Sequence, residues 1–291
     1  MSDGDGLMVE WRRPDAHTTV VGVMGYPVRH SLSPLLHNTA FAALDLNWTS
    51  VAFEVAPGRV GSALDGVRAL EVAGLSVTMP HKSDVAALVD ERSAVVNTLG
   101  AANCVTNRGG TLRGENTDGA GFLASIARAA DFDPAGKRCL IVGAGGAARA
   151  VTLALAGARA ATVTVVNRTA SRAADVAALA GAAGRVGETG IEAETGSADL
   201  VINATPVGMT GTDEGDSGWL VPPSWLHRGQ VVVDLVYAPR PTAWLTAAAQ
   251  SGATAVDGLG MLVHQAAAQL VLWSGVPAPV DRMWQAAINA F

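Results

Sequence analysis

The run Leu140-Ile141-Val142-Gly143-Ala144-Gly145-Gly146-Ala147-Ala148 decides the architecture. An uninterrupted apolar stretch enters a glycine cluster and leaves it as an alanine-rich segment of helical period. That order reads as a buried strand, a tight turn and a helix. The glycines fit G-x-G-x-x-A, with Gly143, Gly145 and Ala148 in the three defining slots. The first glycine makes the turn, the second lets a pyrophosphate approach the backbone, and the small third residue lets helix pack on strand. The helix N-terminus then offers unpaired N–H groups and the positive end of its dipole to the phosphates.

A second apolar strand follows at Thr162–Val166, which completes a βαβ unit and strengthens the dinucleotide interpretation. Its end separates the two common nicotinamide cofactors. An NAD site places Asp or Glu there for the ribose 2′-hydroxyl. Here the chain reads Val166-Asn167-Arg168-Thr169, then Ser171-Arg172, with no acid until Asp175. Arginine suits a 2′-phosphate and stacks on adenine, so the expected cofactor is NADP. Arginines at a solvated helix start are the plainer alternative.

On either side of this unit, short apolar runs alternate with helical segments. Strands are expected at Thr19–Met24, Thr49–Val55, Gly74–Thr78, Arg138–Val142, Leu200–Asn203 and Val231–Leu235. Helices are expected at Pro34–Leu44, Val60–Ala73, Gly119–Ala130, Ala147–Leu155, Ser171–Ala180 and Thr242–Ser251, with two more at Gly260–Ser274 and Val280–Ala290. This alternation predicts an α/β fold with parallel sheets covered on both faces. Asn103–Thr106 and Thr111–Arg113 flank Asn107-Arg108-Gly109-Gly110, a β-hairpin signal. Thr210–Ser217 reads as a mobile polar loop. A cut near Asn116–Gly119 gives two α/β domains flanking a cleft, the usual place for a small-molecule site.

Composition narrows the function classes. A net charge of −6 disfavours a nucleic-acid partner. Cys104 and Cys139 form no CxxC, and the six histidines form no HxxxH pair, so no metal is expected. No apolar run is long enough for a membrane span, and the first 17 residues lack a signal-peptide core, so a disordered tail on a cytoplasmic protein is expected. Of the 20 basic residues only Lys82 and Lys137 are lysine. In a chain so biased toward arginine, a surviving lysine marks a position where a titratable cation is needed, or nothing at all.

The N-terminal half carries Gly25-Tyr26-Pro27-Val28-Arg29-His30-Ser31-Leu32-Ser33-Pro34. Ser33 before Pro34 reads as an N-cap with proline at the first helical position. Ser31 adds a hydroxyl suited to a carboxylate, although capping alone explains one serine. Gly74-Leu75-Ser76-Val77-Thr78-Met79-Pro80-His81-Lys82 puts a lysine at the C-terminal edge of a strand, where open α/β sheets bind ligands. Gly114-Glu115-Asn116-Thr117-Asp118-Gly119 puts a carboxylate at the domain junction. Lys82 and Asp118 fit a proton-transfer pair; a surface ion pair fits the spacing equally.

Taken with G-A-A-N, N-R-T-x-S-R, N-A-T-P-V-G-M and D-G-L-G-M-L-V-H-Q-A, these motifs resemble the shikimate dehydrogenase family from about Val20 to the C-terminus. The resemblance implies NADPH-dependent, reversible reduction of 3-dehydroshikimate to shikimate in aromatic amino-acid biosynthesis. It implies a substrate domain of residues 18–117 plus 259–291, a Rossmann-type NADP domain of residues 118–258, and a tail of residues 1–17. Ser31 and Ser33 would bind the substrate carboxylate, with Tyr237 nearby. Thr78, Asn103 and Gln265 would hold ring hydroxyls, and Lys82 with Asp118 would form the catalytic pair. Gly143, Ala144, Gly145, Gly146 and Ala147 would line the pyrophosphate. Asn167, Arg168, Thr169 and Arg172 would surround the 2′-phosphate. Thr205, Met209 and Gly258 would approach the nicotinamide side.

Two features depart from the family pattern or leave it ambiguous. Ser76 stands where many relatives have asparagine. Asn97 competes with Asn103 for the substrate-asparagine role, and Asn103 is preferred because it follows Gly100-Ala101-Ala102 and opens the hairpin. A quinate or aminoshikimate dehydrogenase, using NAD, is the nearest alternative, and a non-catalytic NADP-binding regulator a remoter one. A monomer or homodimer is expected.

Overall fold

The computed structural model describes residues 13–187, 191–209 and 221–291. The chain divides into two compact units: one runs to Asn116 and resumes at Ala266–Phe291, the other is Thr117–Gln265. Of the expected tail, residues 1–12 lie outside the described residues, as does the expected loop Thr210–Ser217. Asp15 is part of a turn: its carboxylate accepts from the amide of Asn47 at 3.0 Å and from the backbone of His17 at 2.9 Å.

The first unit opens with β1 (Thr19–Gly25), α1 (Ser33–Ala43), β2 (Trp48–Glu54), α2 (Val60–Ala69), β3 (Gly74–Val77) and α3 (Lys82–Leu88). It continues with β4 (Glu91–Arg92), α4 (Ala94–Leu99) and the hairpin β5 (Cys104–Arg108) and β6 (Thr111–Glu115). The strand order is β2-β1-β3-β5-β6-β4. β1 pairs parallel with β2 and β3, whereas β5 runs antiparallel to both β3 and β6. This sheet is therefore mixed: the expected hairpin lies within it, and its first strand runs against β3. Both glycines of the hairpin turn, Gly109 and Gly110, have positive φ, the conformation such a turn requires. Met24, Leu64, Leu75, Val85 and Leu112 form much of its core, and each side chain of this size contributes about 1.5–3 kcal/mol on burial.

Strand β2 lies at the edge of this sheet and is half exposed, not covered on both faces as expected. The Asn38 amide from α1 brackets it. Its Nδ2 donates to the Ser50 carbonyl at 2.9 Å, and its Oδ1 accepts the Ser50 N–H at 2.7 Å.

The second unit contains α5 (Asp118–Ala130), β7 (Arg138–Val142), α6 (Gly146–Gly157), β8 (Thr162–Val166), α7 (Ala170–Ala177), β9 (Gly184–Val186), α8 (Glu192–Ser197) and β10 (Leu200–Asn203). After these come β11 (Val231–Asp234), α9 (Ala243–Gln250) and β12 (Thr254–Asp257). All pairings are parallel and the order is β12-β11-β10-β7-β8-β9. Counted from β7, this is the doubly wound order 3-2-1-4-5-6, whose ligand crevice opens where the direction of winding reverses, beside the first strand. Buried Phe122, Ile141, Val151, Val163 and Ile202 form one apolar cluster, and Leu140, Val201, Val232, Trp244 and Leu245 another.

Helix α10 (Leu259–Ser274) crosses the division between the units, and α11 (Val280–Ile288) packs against α1 in the first. Among the described residues, no helix is long and apolar enough to cross a membrane.

Candidate functional site

In the first unit, the candidate substrate residues gather where β1 and β3 end. Ser31 and Ser33 follow β1. Ser33 is not the N-cap expected: it is the first residue of α1, with Pro34 second, and the Ser31 hydroxyl accepts its N–H at 3.2 Å. The cap position itself is Leu32, which has no capping side chain, and Ser31 instead forms a local hydroxyl-to-backbone turn onto the first helical N–H. Glu54 holds the approach to this turn, accepting from the Val28 N–H at 3.4 Å and pairing with Arg29 at 3.5 Å.

Thr78 follows β3, its N–H bonded to the Met24 carbonyl at 2.9 Å. Lys82 begins α3 and is half-buried. The preceding His81 is fully buried, with Nε2 at 2.7 Å from the Val55 carbonyl. The Lys82 carbonyl accepts the Ala102 N–H at 2.9 Å, which sets the lysine beside the segment leading into Asn103. Asn103 is buried, whereas its rival Asn97 is exposed within α4.

The second unit gathers the remaining candidates. Asp118 is the first residue of α5 and is buried. Gln265 lies on α10, nearly one turn after Leu262, whose carbonyl accepts from its Nε2 at 2.9 Å. Tyr237 follows β11, and burial pushes its phenol above the usual range. Met209 is exposed and Thr205 half-buried beyond β10. Gly258, after β12, has no room for a side chain: a Cβ there would collide with the Leu235 carbonyl.

The turn after β7 suits a dinucleotide. Gly143 has φ +115°, and a Cβ on it would lie 2.8 Å from the Ala204 carbonyl. Above Gly145 and Gly146 the space is open, so a phosphate can reach the first N–H groups of α6. At the end of β8, Arg168, Thr169 and Arg172 are exposed and Asn167 half-buried. The cation set at that strand end fits a 2′-phosphate.

A buried network behind this edge escaped the sequence reasoning. Asp234 at the end of β11 is fully buried and accepts from Asn203 at 3.0 Å, Thr242 at 2.7 Å and the Val236 N–H at 3.1 Å. Burial raises its pKa, and these donors oppose the shift. Asn203 Oδ1 in turn accepts from the backbone and hydroxyl of Thr205, at 3.0 and 2.7 Å. The network fixes the turn that carries Thr205 and Met209. Its signal was an acid ending the apolar run Val231-Val232-Val233-Asp234.

Three family models match in chain order. The shikimate dehydrogenase substrate binding domain matches residues 23–105, shikimate / quinate 5-dehydrogenase residues 125–236, and the shikimate 5′-dehydrogenase C-terminal domain residues 258–288. The NADP+ shikimate dehydrogenase of Moorella thermoacetica is 44% identical over 94% of this chain and 95% of its own. The chain belongs to the shikimate dehydrogenase family. A crystal structure of a shikimate dehydrogenase with NADP+ superposes with a TM-score of 0.89 at 34% identity, covering 96% of this chain and 97% of that one. The Thermus thermophilus family member solved with NADP(H) and shikimate gives 0.86 at 34% identity, covering 94% and 100%.

Proposed function

We propose that this chain catalyses the NADP-dependent, reversible reduction of 3-dehydroshikimate to shikimate. The observation that carries this is the family membership over nearly the full chain, joined to a half-buried lysine at the C-terminal edge of the first sheet. Ser31 and Ser33 bind the substrate carboxylate with Tyr237, and Thr78, Asn103 and Gln265 take the ring hydroxyls. Gly143, Ala144, Gly145, Gly146 and Ala147 receive the pyrophosphate, and Asn167, Arg168, Thr169 and Arg172 the 2′-phosphate. Thr205, Met209 and Gly258 border the nicotinamide.

When bound, the dinucleotide would supply the hydride for reduction of the ring carbonyl. Lys82 stabilises the charge developing on the carbonyl oxygen and delivers a proton to it, with Asp118 orienting the ammonium. In the reverse direction neutral Lys82 accepts the alcohol proton.

The test is the appearance of reduced nicotinamide with shikimate or quinate, each supplied with NADP+ or NAD+. The expected result is highest kcat/KM with shikimate and NADP+. Preference for quinate, or for NAD+, would assign the chain to the quinate-type branch. No turnover with any pair would leave a non-catalytic NADP-binding protein.

A further inference from the structure

Helix α10 is stitched to strand β5 by two side chains four residues apart. Gln269 Nε2 donates to the Asn103 carbonyl at 3.0 Å, and Trp273 Nε1 donates to the Val105 carbonyl at 3.0 Å. Four helical residues rise about 6 Å and two strand residues about 6.6 Å. Donors one turn apart on α10 therefore meet alternate carbonyls of one strand. Gly74 on β3 makes room for the second contact, because a Cβ there would collide with the Trp273 indole.

The contact on Asn103 differs in kind from that on Val105. The Asn103 carbonyl also accepts the Val77 N–H at 2.8 Å, and its own N–H donates to the Glu115 carbonyl at 3.0 Å. Gln269 thus adds a third fixed partner to the main chain of a single residue. Gln269 is itself wholly buried. Burying a primary amide is costly without hydrogen bonds, and an apolar side chain would pack the same helix face without that cost. What the amide adds is control over the Asn103 backbone.

We propose that Gln269 is a positioning residue. By holding the Asn103 carbonyl it fixes the direction in which the Asn103 side-chain amide leaves the strand, and so the geometry of its hydrogen bond to a substrate ring hydroxyl. This rests on the assignment of Asn103 to the substrate in the proposed function.

The test is a double-mutant cycle in the full-length protein, with steady-state kinetics in shikimate and NADP+ for Gln269→Met, Asn103→Ala and the combination. Gln269→Met is expected to raise KM for shikimate about 5–20-fold and leave KM for NADP+ within about twofold. In the Asn103→Ala background it should add nothing further, because the coupled group is gone. Additive effects, an equal rise in both KM values, or an unchanged KM for shikimate would overturn the proposal and leave Gln269 a packing residue. If Asn103→Ala itself leaves KM for shikimate unaltered, the assignment of Asn103 fails first and the proposal falls with it. Should Gln269→Met not fold, Gln269→Asn shortens the reach while keeping an amide, and the same readouts apply.

Discussion

A Cβ on Gly121 would lie 2.7 Å from the backbone nitrogen of Gln265 and 2.8 Å from its Cβ. Helices α5 and α10 approach this closely because α5 has a glycine there. Gly121→Ala is therefore expected to displace the turn of α10 that carries Gln265. Overpacking of this kind costs about 1–3 kcal/mol. The expected outcome is a lower Tm together with a raised KM for shikimate, measured by thermal unfolding and steady-state kinetics.

The two lysines of the chain are expected to respond oppositely to the same change. Lys82→Arg keeps a cation but removes a group able to release its proton, and kcat should fall by about 10²–10⁴-fold. Lys137 is exposed just ahead of β7, so Lys137→Arg should leave kcat and KM unaltered. A Lys82→Arg enzyme with normal kcat would remove Lys82 from proton transfer.

Arg168 provides a selectivity test at the end of β8. Arg168→Ala should raise KM for NADP+ by about 10–100-fold, the loss of a charge-assisted contact to phosphate. Activity with NAD+ lacks the 2′-phosphate and should change little. Equal losses with both cofactors would show that the arginine serves the fold or the adenine, not the phosphate.

His37 makes the first unit acid-sensitive. It is buried against Trp273, with ring centres 4.7 Å apart, and Phe41. Burial lowers its pKa from 6.5 to about 4. Between those values the unfolded chain takes up a proton that the folded chain refuses. Stability therefore falls as pH drops from 6.5 toward 4, by up to about 1.4 kcal/mol per pH unit. His37→Phe keeps a ring against Trp273 and removes the titration. Urea unfolding across this range should show a shallower acid loss in the variant than in the parent.

The doubly wound half was legible because its signals are local. Val142 to Ala148 contains strand end, turn and helix start in consecutive residues, and four of the six strands of this sheet stand out as apolar runs, whereas β9 and β12 do not. The mixed sheet was harder. Nothing near Cys104 says that β5 will lie beside β3, because that pairing joins residues far apart in sequence. The two-residue β4 and the four-residue β12 are too short to show a period. Ser31 and Ser33 illustrate the same limit at the site: α1 starts one residue earlier than the proline suggests, which puts Leu32 and neither serine at the cap position. Gln269 and Asp234 were missed for a related reason. Their apolar neighbours mark them as core, and only the structure pairs Gln269 with the Asn103 carbonyl and Asp234 with Asn203.

The Asn38 bracket on Ser50 has a consequence for crowded solutions. Edge strands are templates for unwanted strand addition, and proteins commonly blunt them with charge, proline or a bulge. Strand β2 contains no proline and no lysine. Here the outward N–H and C=O of its third residue are already taken by an amide that imitates the next strand. An incoming chain would have to evict Asn38 before it could extend the ladder, so a single side chain stands where a neighbouring molecule would otherwise begin to polymerise.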